Sequence, residues 1–273
     1  MIPISLESVR NAREKSPKRR CFLEFSGIQR KKLNGSISFS VPFRETIKPI
    51  FEEQTGLSLF YSNEFDNYFR VLPNQEEIDI ATIWENTQGH RIFLRDCLTL
   101  SIAMSYNFEN IEEHIYTEIG KLEYDAKYNQ DASSIDKLIN LSMDTIASLP
   151  FYNEADLVCA VPPPPDKTFD LPSYVVEKLS NLINKQDITT LFSFAGTKTS
   201  IKSLKVEDKW AAWEKARVTI EESNLKGKTV ILIDDKYQSG ISMEYIAMKL
   251  QEAGVSDVYG LCFVKTMKDS DNT

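Results

Sequence analysis

The chain has 273 residues, an apolar fraction of 42% and a net charge of -8, enough for one large or two ordinary domains around a proper core, and too acidic for nucleic acid to be the default partner of its whole surface. Cys21, Cys97, Cys159 and Cys262 form no C-x-x-C pair and only His90 and His114 are present, which argues against a disulfide framework, a zinc ribbon or a histidine-rich metal site. No stretch reaches the roughly 18 apolar residues of a membrane span, and the opening MIPISLESVRNAREKSPKRR lacks the apolar centre of a signal peptide, so the expectation is a cytoplasmic chain without membrane contact.

The charge is unevenly placed. Residues 1–32 hold nine Lys or Arg against three Glu, a basic arm with two readings: a solvated helix and loop, or a contact for a phosphate backbone or an acidic partner. "CFLEF" and "SISFSVPF" alternate like strands, and "GHRIFLRDCLTLSIAMSYNF" fits either strand or buried helix. Trp84 and the cluster Phe60, Tyr61, Phe65, Tyr68 and Phe69 are expected in the core, since their spacing follows no base-stacking platform. Residues 1–110 thus read as an α+β accessory or hood region, and 111–273 as the principal domain.

From about residue 112 the pattern is regular. "ASSIDKLINLSMDTIASL" sets Ile135, Leu138, Ile139, Ser142, Met143, Ile146 and Leu149 on one helical face, and "DLVCAVPPPP" is a short buried strand running into a stiff proline loop. "DLPSYVVEKLSNLINK" predicts a second helix, "ITTLFSF" a second strand and "KTVILID" a third. "SMEYIAMKLQEAG" predicts a helix with Met243, Ile246, Ala247 and Leu250 inward and Gly254 as its C-cap, and "VYGLCFV" a further strand. Such alternation predicts an α/β fold, a parallel sheet flanked by helices, with ligands at the carboxyl ends of the strands.

Two acids, Asp234 and Asp235, stand at the carboxyl end of the most hydrophobic strand, just before a helix. Neighbouring carboxylates repel and lose solvation at a sheet edge, so the pair calls for hydroxyl donors, a cation or a metal. Ser239 and Ser242 offer hydroxyls, Gly240 permits close backbone approach, and the helix N-terminus favours an anion. Acids beside a phosphate cradle suit a sugar phosphate, diol on the acids and phosphate on the loop; the bland alternative is that the acids merely cap the helix. No G-x-x-x-x-G-K-[ST] or G-x-G-x-x-G is present, which sets aside the P-loop and dinucleotide folds.

"VILIDDKYQSGIS" resembles the phosphoribosyl-diphosphate signature of the type I phosphoribosyltransferases. "AVPPPPDKTFDLPSYVVEKL" is similar to that family's strand, pyrophosphate loop and helix, and "GTKTSIKSLKVEDKWAAWEKARV" is placed like its mobile catalytic loop. "LKGKTVILIDD" and "EIGKLEYDAKY" resemble the ComF-like subgroup, over about residues 112–268. The resemblance implies a type I phosphoribosyltransferase-like sheet and transfer of a phosphoribosyl group from 5-phosphoribosyl diphosphate to a nitrogen acceptor, with Mg2+ bound mainly through substrate and no protein metal ligand. It further implies that Asp234 and Asp235 hold the ribose hydroxyls, and that Lys236, Tyr237, Gln238, Ser239, Gly240, Ile241 and Ser242 surround the 5-phosphate. Lys167, with Pro164, Pro165 and Asp166, would meet the pyrophosphate. Lys198 and Lys202, with Lys205 and Lys209, would make a closing loop basic, or form one solvated helix face.

The pattern departs from the family in places. Gln238 stands where 6-oxopurine enzymes carry an aspartate base, which disfavours hypoxanthine or guanine. Lys236 replaces the usual small apolar residue and would either aid phosphate binding or pair with Asp235 and fill the diol pocket. The subgroup's zinc ribbon is missing. The readings carried forward are an active transferase, a non-catalytic phosphoribosyl-ligand sensor, and a subunit of a nucleic-acid system for DNA uptake or defence using residues 1–32; a homodimer is common in the family.

Overall fold

A computed structural model describes residues 3–14, 28–30, 35–41, 43, 45–197, 204–221 and 224–267. The N-terminal region begins with helix α1 (Leu6–Glu14) and continues through strands β1 (Ile28–Arg30) and β2 (Ile37–Val41), helix α2 (Ile47–Thr55), strands β3 (Phe60–Ser62) and β4 (Asn67–Leu72), and helix α3 (Gln75–Thr87). The strands form an antiparallel sheet in the order β1-β2-β4-β3. Trp84 belongs to the core, edge-on to Phe39 and Phe51. The expectation fails for Phe60, Tyr61 and Phe65, which are exposed: β3 is an edge strand, and its aromatics lie on or beside the solvent side of a short hairpin. "CFLEF" lies outside the described residues.

The ambiguous stretch before residue 110 is strand: β5 (Ile92–Phe93) and β6 (Leu100–Tyr106). Both join the main sheet from the N-terminal side of the expected division at residue 110, β6 pairing in parallel with the last strand of the chain. A hairpin of β7 (Phe108–Asn110) and β8 (Ile115–Tyr116) leads to helices α4 (Glu118–Tyr128) and α5 (Ala132–Ser148), strand β9 (Leu157–Ala160), helix α6 (Leu171–Leu182) and strand β10 (Gln186–Asp187). After β11 (Phe192–Phe194) come helix α7 (Val206–Ala216), strands β12 (Val218–Ile220) and β13 (Thr229–Tyr237), helix α8 (Ile241–Glu252) and strand β14 (Asp257–Lys265).

The six-stranded sheet runs β10-β9-β13-β14-β6-β5, parallel except for β5. "ITTLFSF" does not contribute the expected strand. Gln186–Asp187 takes that edge, the chain then makes a single 3-10 turn, and Phe192–Phe194 pairs with β12, across helix α7 in the chain, in a separate two-stranded antiparallel sheet. The turn has a side-chain cause: Asp187 Oδ1 accepts from the amide and hydroxyl of Thr189, bending the backbone out of the sheet.

Helices α4, α5 and α6 cover one face and α1, α7 and α8 the other, so β13 is buried on both sides. Its alternation divides it between two cores: Ile231 and Ile233 pack with the α5 residues Leu138 and Ile139, Val230 and Leu232 with the α8 residues Ile246 and Leu250. Burial of the β-branched run is what holds this strand at the centre. Helix α8 closes at Ala253, with Gly254 one position further in the left-handed region at φ 89°. Among the described residues no helix is long and apolar enough to cross a membrane, and Cys97, Cys159 and Cys262 are free thiols.

Candidate functional site

The strand β13 outlasts its neighbour. Its pairing with β9 ends at Ile233 opposite Ala160, closed by the Val161 amide donating to the Ile233 carbonyl at 2.8 Å. Pro162 to Pro165 follow, and prolines bring no N–H to continue a ladder. The β13 edge beyond Ile233 therefore loses that partner, and a cavity of about 850 Å³ opens there. It lies at the carboxyl ends of the parallel strands, as expected for such a sheet. Its walls are the proline loop, residues 234–243, Lys127 and Tyr128 of α4, Lys209 of α7, and Asn107 and Thr266.

The acids sit inside β13 rather than after it, because pairing with β14 continues to Tyr237 opposite Lys265. Asp234 accepts from the Asp235 amide at 2.9 Å. Burial, followed by repulsion from Asp235, pushes the Asp234 carboxyl up to about 7. Asp235, which is buried, pairs directly with Lys127. Lys127 also lies 3.7 Å from Glu123, one turn earlier on α4, and Lys236 lies 3.0 Å from the other oxygen of Glu123. Burial raises the Glu123 carboxyl against the opposing pull of Lys236 and Lys127. Lys236, Glu123, Lys127 and Asp235 thus form a chain of alternating charges, in which Glu123 links the cavity-lining Lys236 and Lys127 from behind. Of the two readings of Lys236, pairing with Asp235 is not what is seen; Lys127 holds that place.

The turn between β13 and α8 is braced from three directions. Gly240 adopts φ 76°, and a Cβ there would lie 2.7 Å from Tyr237 Cζ, so glycine is required by conformation and space alike. Tyr237, itself buried, donates to Asp96 at 3.2 Å. Two buried cations reach Ser239: Arg13 Nη2 donates to its carbonyl at 2.5 Å and Lys209 Nζ to its Oγ at 3.3 Å. Trp213 Nε1 donates to Ser242 Oγ at 3.3 Å. These supports fix the turn where the first residues of α8, Ile241 to Met243, line the cavity; the first amides of a helix and its dipole favour an anion.

Across the cavity the Lys167 amide donates to the Pro164 carbonyl at 3.0 Å, closing a tight turn. Lys167 Nζ lies 2.5 Å from Asp170, whose second oxygen caps α6 through the Ser173 amide. Pro164, Asp166 and Lys167 line the cavity with all of residues 234–242, whereas Pro165 is not among the wall residues. Tyr237 and Ile241 are buried and shape the turn from behind. Lys198 and Lys202 lie outside the described residues. Lys209, one of the lysines with a solvated-face alternative, is buried at the cavity. Lys127, Glu123 and Arg13 were not singled out from the sequence for a role here; the only local sign was the Glu123/Lys127 spacing on α4, common to surface ion pairs.

The first segment of the basic arm docks on the body, with Arg10 3.4 Å from Glu207 and Arg13 on Ser239. Together the fold and cavity define an α/β protein with a mainly parallel, doubly covered sheet and a cavity in which paired acids lie beside the start of a helix. No family model matches the chain, and neither does any curated protein. Among solved structures it is similar to a purine phosphoribosyltransferase from Pyrococcus horikoshii Ot3, at 15% identity over 49% of this chain and 76% of that one, with a TM-score of 0.33. It is also similar to glutamine phosphoribosylpyrophosphate amidotransferase from B. subtilis complexed with ADP and GMP, at 14% identity over 84% and 48% of the respective chains and a TM-score of 0.36. An allosteric regulatory enzyme of purine biosynthesis gives 15% identity, 84% and 45% coverage, and 0.35. The chain thus matches about half the length of these last two. What the cavity can do follows from its own residues.

Proposed function

We propose that the cavity binds 5-phosphoribosyl diphosphate or a related sugar phosphate, and that the chain transfers its phosphoribosyl group to a nitrogen acceptor. The observation that carries this reading is the joining, in one cavity, of the Asp234/Asp235 pair with the cation-braced turn that opens α8. Asp234 and Asp235 accept hydrogen bonds from the ribose hydroxyls. The amides and hydroxyls from Gln238 to Ser242 receive the 5-phosphate, with Lys209 adding charge beside Ser239. The Pro162–Lys167 loop meets the diphosphate, Lys167 exchanging Asp170 for a leaving-group oxygen.

In the reaction the anomeric C–O bond breaks, its electron pair leaving with diphosphate, while a C–N bond forms to the acceptor. Positive charge grows on the ribose and negative charge on the leaving group, so acids at one end and lysines at the other stabilise both. The residues present do not fit a metal held on the acids: Asp235 is paired with Lys127, and no group of three or more His, Cys, Asp or Glu suited to a metal occurs among the described residues. A magnesium ion arriving on diphosphate oxygens would neutralise the leaving group.

A second reading, ligand sensing without turnover, is favoured by the Lys127–Asp235 pair and by Gln238, which supplies no base at the position where an aspartate serves 6-oxopurine enzymes. Calorimetric titration of 5-phosphoribosyl diphosphate into the wild type and into Asp234→Asn/Asp235→Asn tests the shared core. Binding by the wild type alone upholds the site, and diphosphate release with an acceptor panel then separates transferase from sensor. Equal binding by both proteins would remove the acids from the ligand site.

A further inference from the structure

We infer that the Lys127 ammonium is a built-in counter-cation of the acid pair, so that this cavity takes its sugar phosphate without a divalent metal on Asp234 or Asp235. The ligand half of this statement rests on the proposed function; the cation half does not. Lys127 reaches Asp235 from α4, lines the cavity, and lies 3.7 Å from Glu123. Asp234 also contributes to its electrostatic surroundings. The ammonium therefore lies among carboxylates, on the Asp235 oxygen, Oδ2, for which a divalent ion would have to compete with it.

Two features keep it there. Glu123 precedes Lys127 by one helical turn, the favoured order for such a pair, and anchors the stem from behind. Glu123 is itself almost fully buried, with its other oxygen towards Lys236, so it is held away from acting as a metal ligand. A magnesium or manganese ion needs about six oxygens in a near-octahedral shell. With the ammonium on Asp235 and the lysines on Glu123, that shell cannot be assembled from the protein. A lysine is also a compact point charge with three donors, suited to hold a carboxylate while a hydroxyl-bearing ligand settles beside it.

Manganese titration, followed by the paramagnetic resonance signal of the free ion, tests the cation half with no sugar phosphate present. The wild type is expected to show no site that depends on Asp235. Lys127→Met, which keeps the stem and removes the charge, is expected to gain manganese affinity by roughly tenfold or more through the uncovered Asp235 and its neighbours. Lys127→Arg should stay like the wild type. Manganese binding by the wild type that disappears in Asp235→Asn overturns the inference, as does folded Lys127→Met that binds no more manganese than the wild type. Should Lys127→Met fail to fold, Lys127→Gln takes its place. Ribose 5-phosphate affinity of the wild type in magnesium and in chelator is then expected to agree within about twofold, against a shift of tenfold or more if a metal bridges ligand and acids. Failure of ribose 5-phosphate to bind in either buffer, with the manganese results as expected, would count against the proposed ligand and leave the cation assignment intact.

Discussion

A methyl group at Gly240 is the smallest change that reaches the turn beneath the proposed phosphate. Its φ of 76° lies where an L-residue pays a backbone penalty of about 1 kcal/mol. The added Cβ would also lie 2.7 Å from Tyr237 Cζ, and Tyr237 is only 1% exposed and bonded to Asp96, so its ring has nowhere to retreat. Overpacking of this kind adds about 1–3 kcal/mol. Gly240→Ala should therefore destabilise the fold by about 3 kcal/mol, a fall in Tm of about 6–12 °C for a chain of this size. Urea unfolding followed by tryptophan fluorescence reads the change, with Tyr237→Phe as a second background. Removing the hydroxyl relieves the contact nearest the new methyl, so the double variant should be more stable than the sum of the single losses. A Gly240→Ala midpoint within about 0.5 kcal/mol of wild type, the range of ordinary surface substitutions, would refute the account of this turn.

Asp234 provides a pH signature. Its carboxyl is held up to about 7 in the folded chain against 3.8 ordinarily, so folding binds a proton between those values and the contribution is lost as pH rises through 7. Asp234→Asn should accordingly gain stability relative to wild type between pH 5 and pH 8, measured by urea midpoints; a parallel pair of profiles would contradict the burial argument. Lys209→Met removes the charged donor on Ser239 Oγ and should weaken ribose 5-phosphate binding by about 10-fold to 100-fold, in line with a charged hydrogen bond of about 1.5–3 kcal/mol. Unchanged calorimetric affinity would place the anion elsewhere. Glu123→Ala leaves Lys127 and Lys236 without their shared carboxylate and should cost about 3 kcal/mol in urea unfolding.

The readable parts of this chain were those with local causes. The β-branched run of β13, the proline stop after β9 and the small residues around Gly240 announce a strand, its end and a turn, because each acts on its own backbone. The α5 face from Ile135 to Ile146 is legible for the same reason: its spacing is a property of one helix. What escaped depends on distant partners. Phe60 and Phe65 have the composition of core residues, and only the pairing order, which makes β3 an edge, exposes them. "ITTLFSF" has strand propensity throughout, yet the Asp187–Thr189 hydrogen bonds turn it away before it can join the sheet. Lys127 has an ordinary helical ion-pair spacing with Glu123, and nothing near it in the chain indicates that Asp235 completes the pair.

The bond between Arg13 and Ser239 joins positions 226 residues apart. During synthesis α1 is made long before the turn that it braces, and it must wait until β13 and α8 have left the ribosome. Closing so long a loop is unfavourable until the intervening sheet has drawn its ends together. Loop-closure entropy therefore favours assembly of the central strands before α1 docks on the turn. Arg13→Ala should accordingly act mainly on the unfolding rate and leave the folding rate nearly unaltered, as expected of a contact formed late.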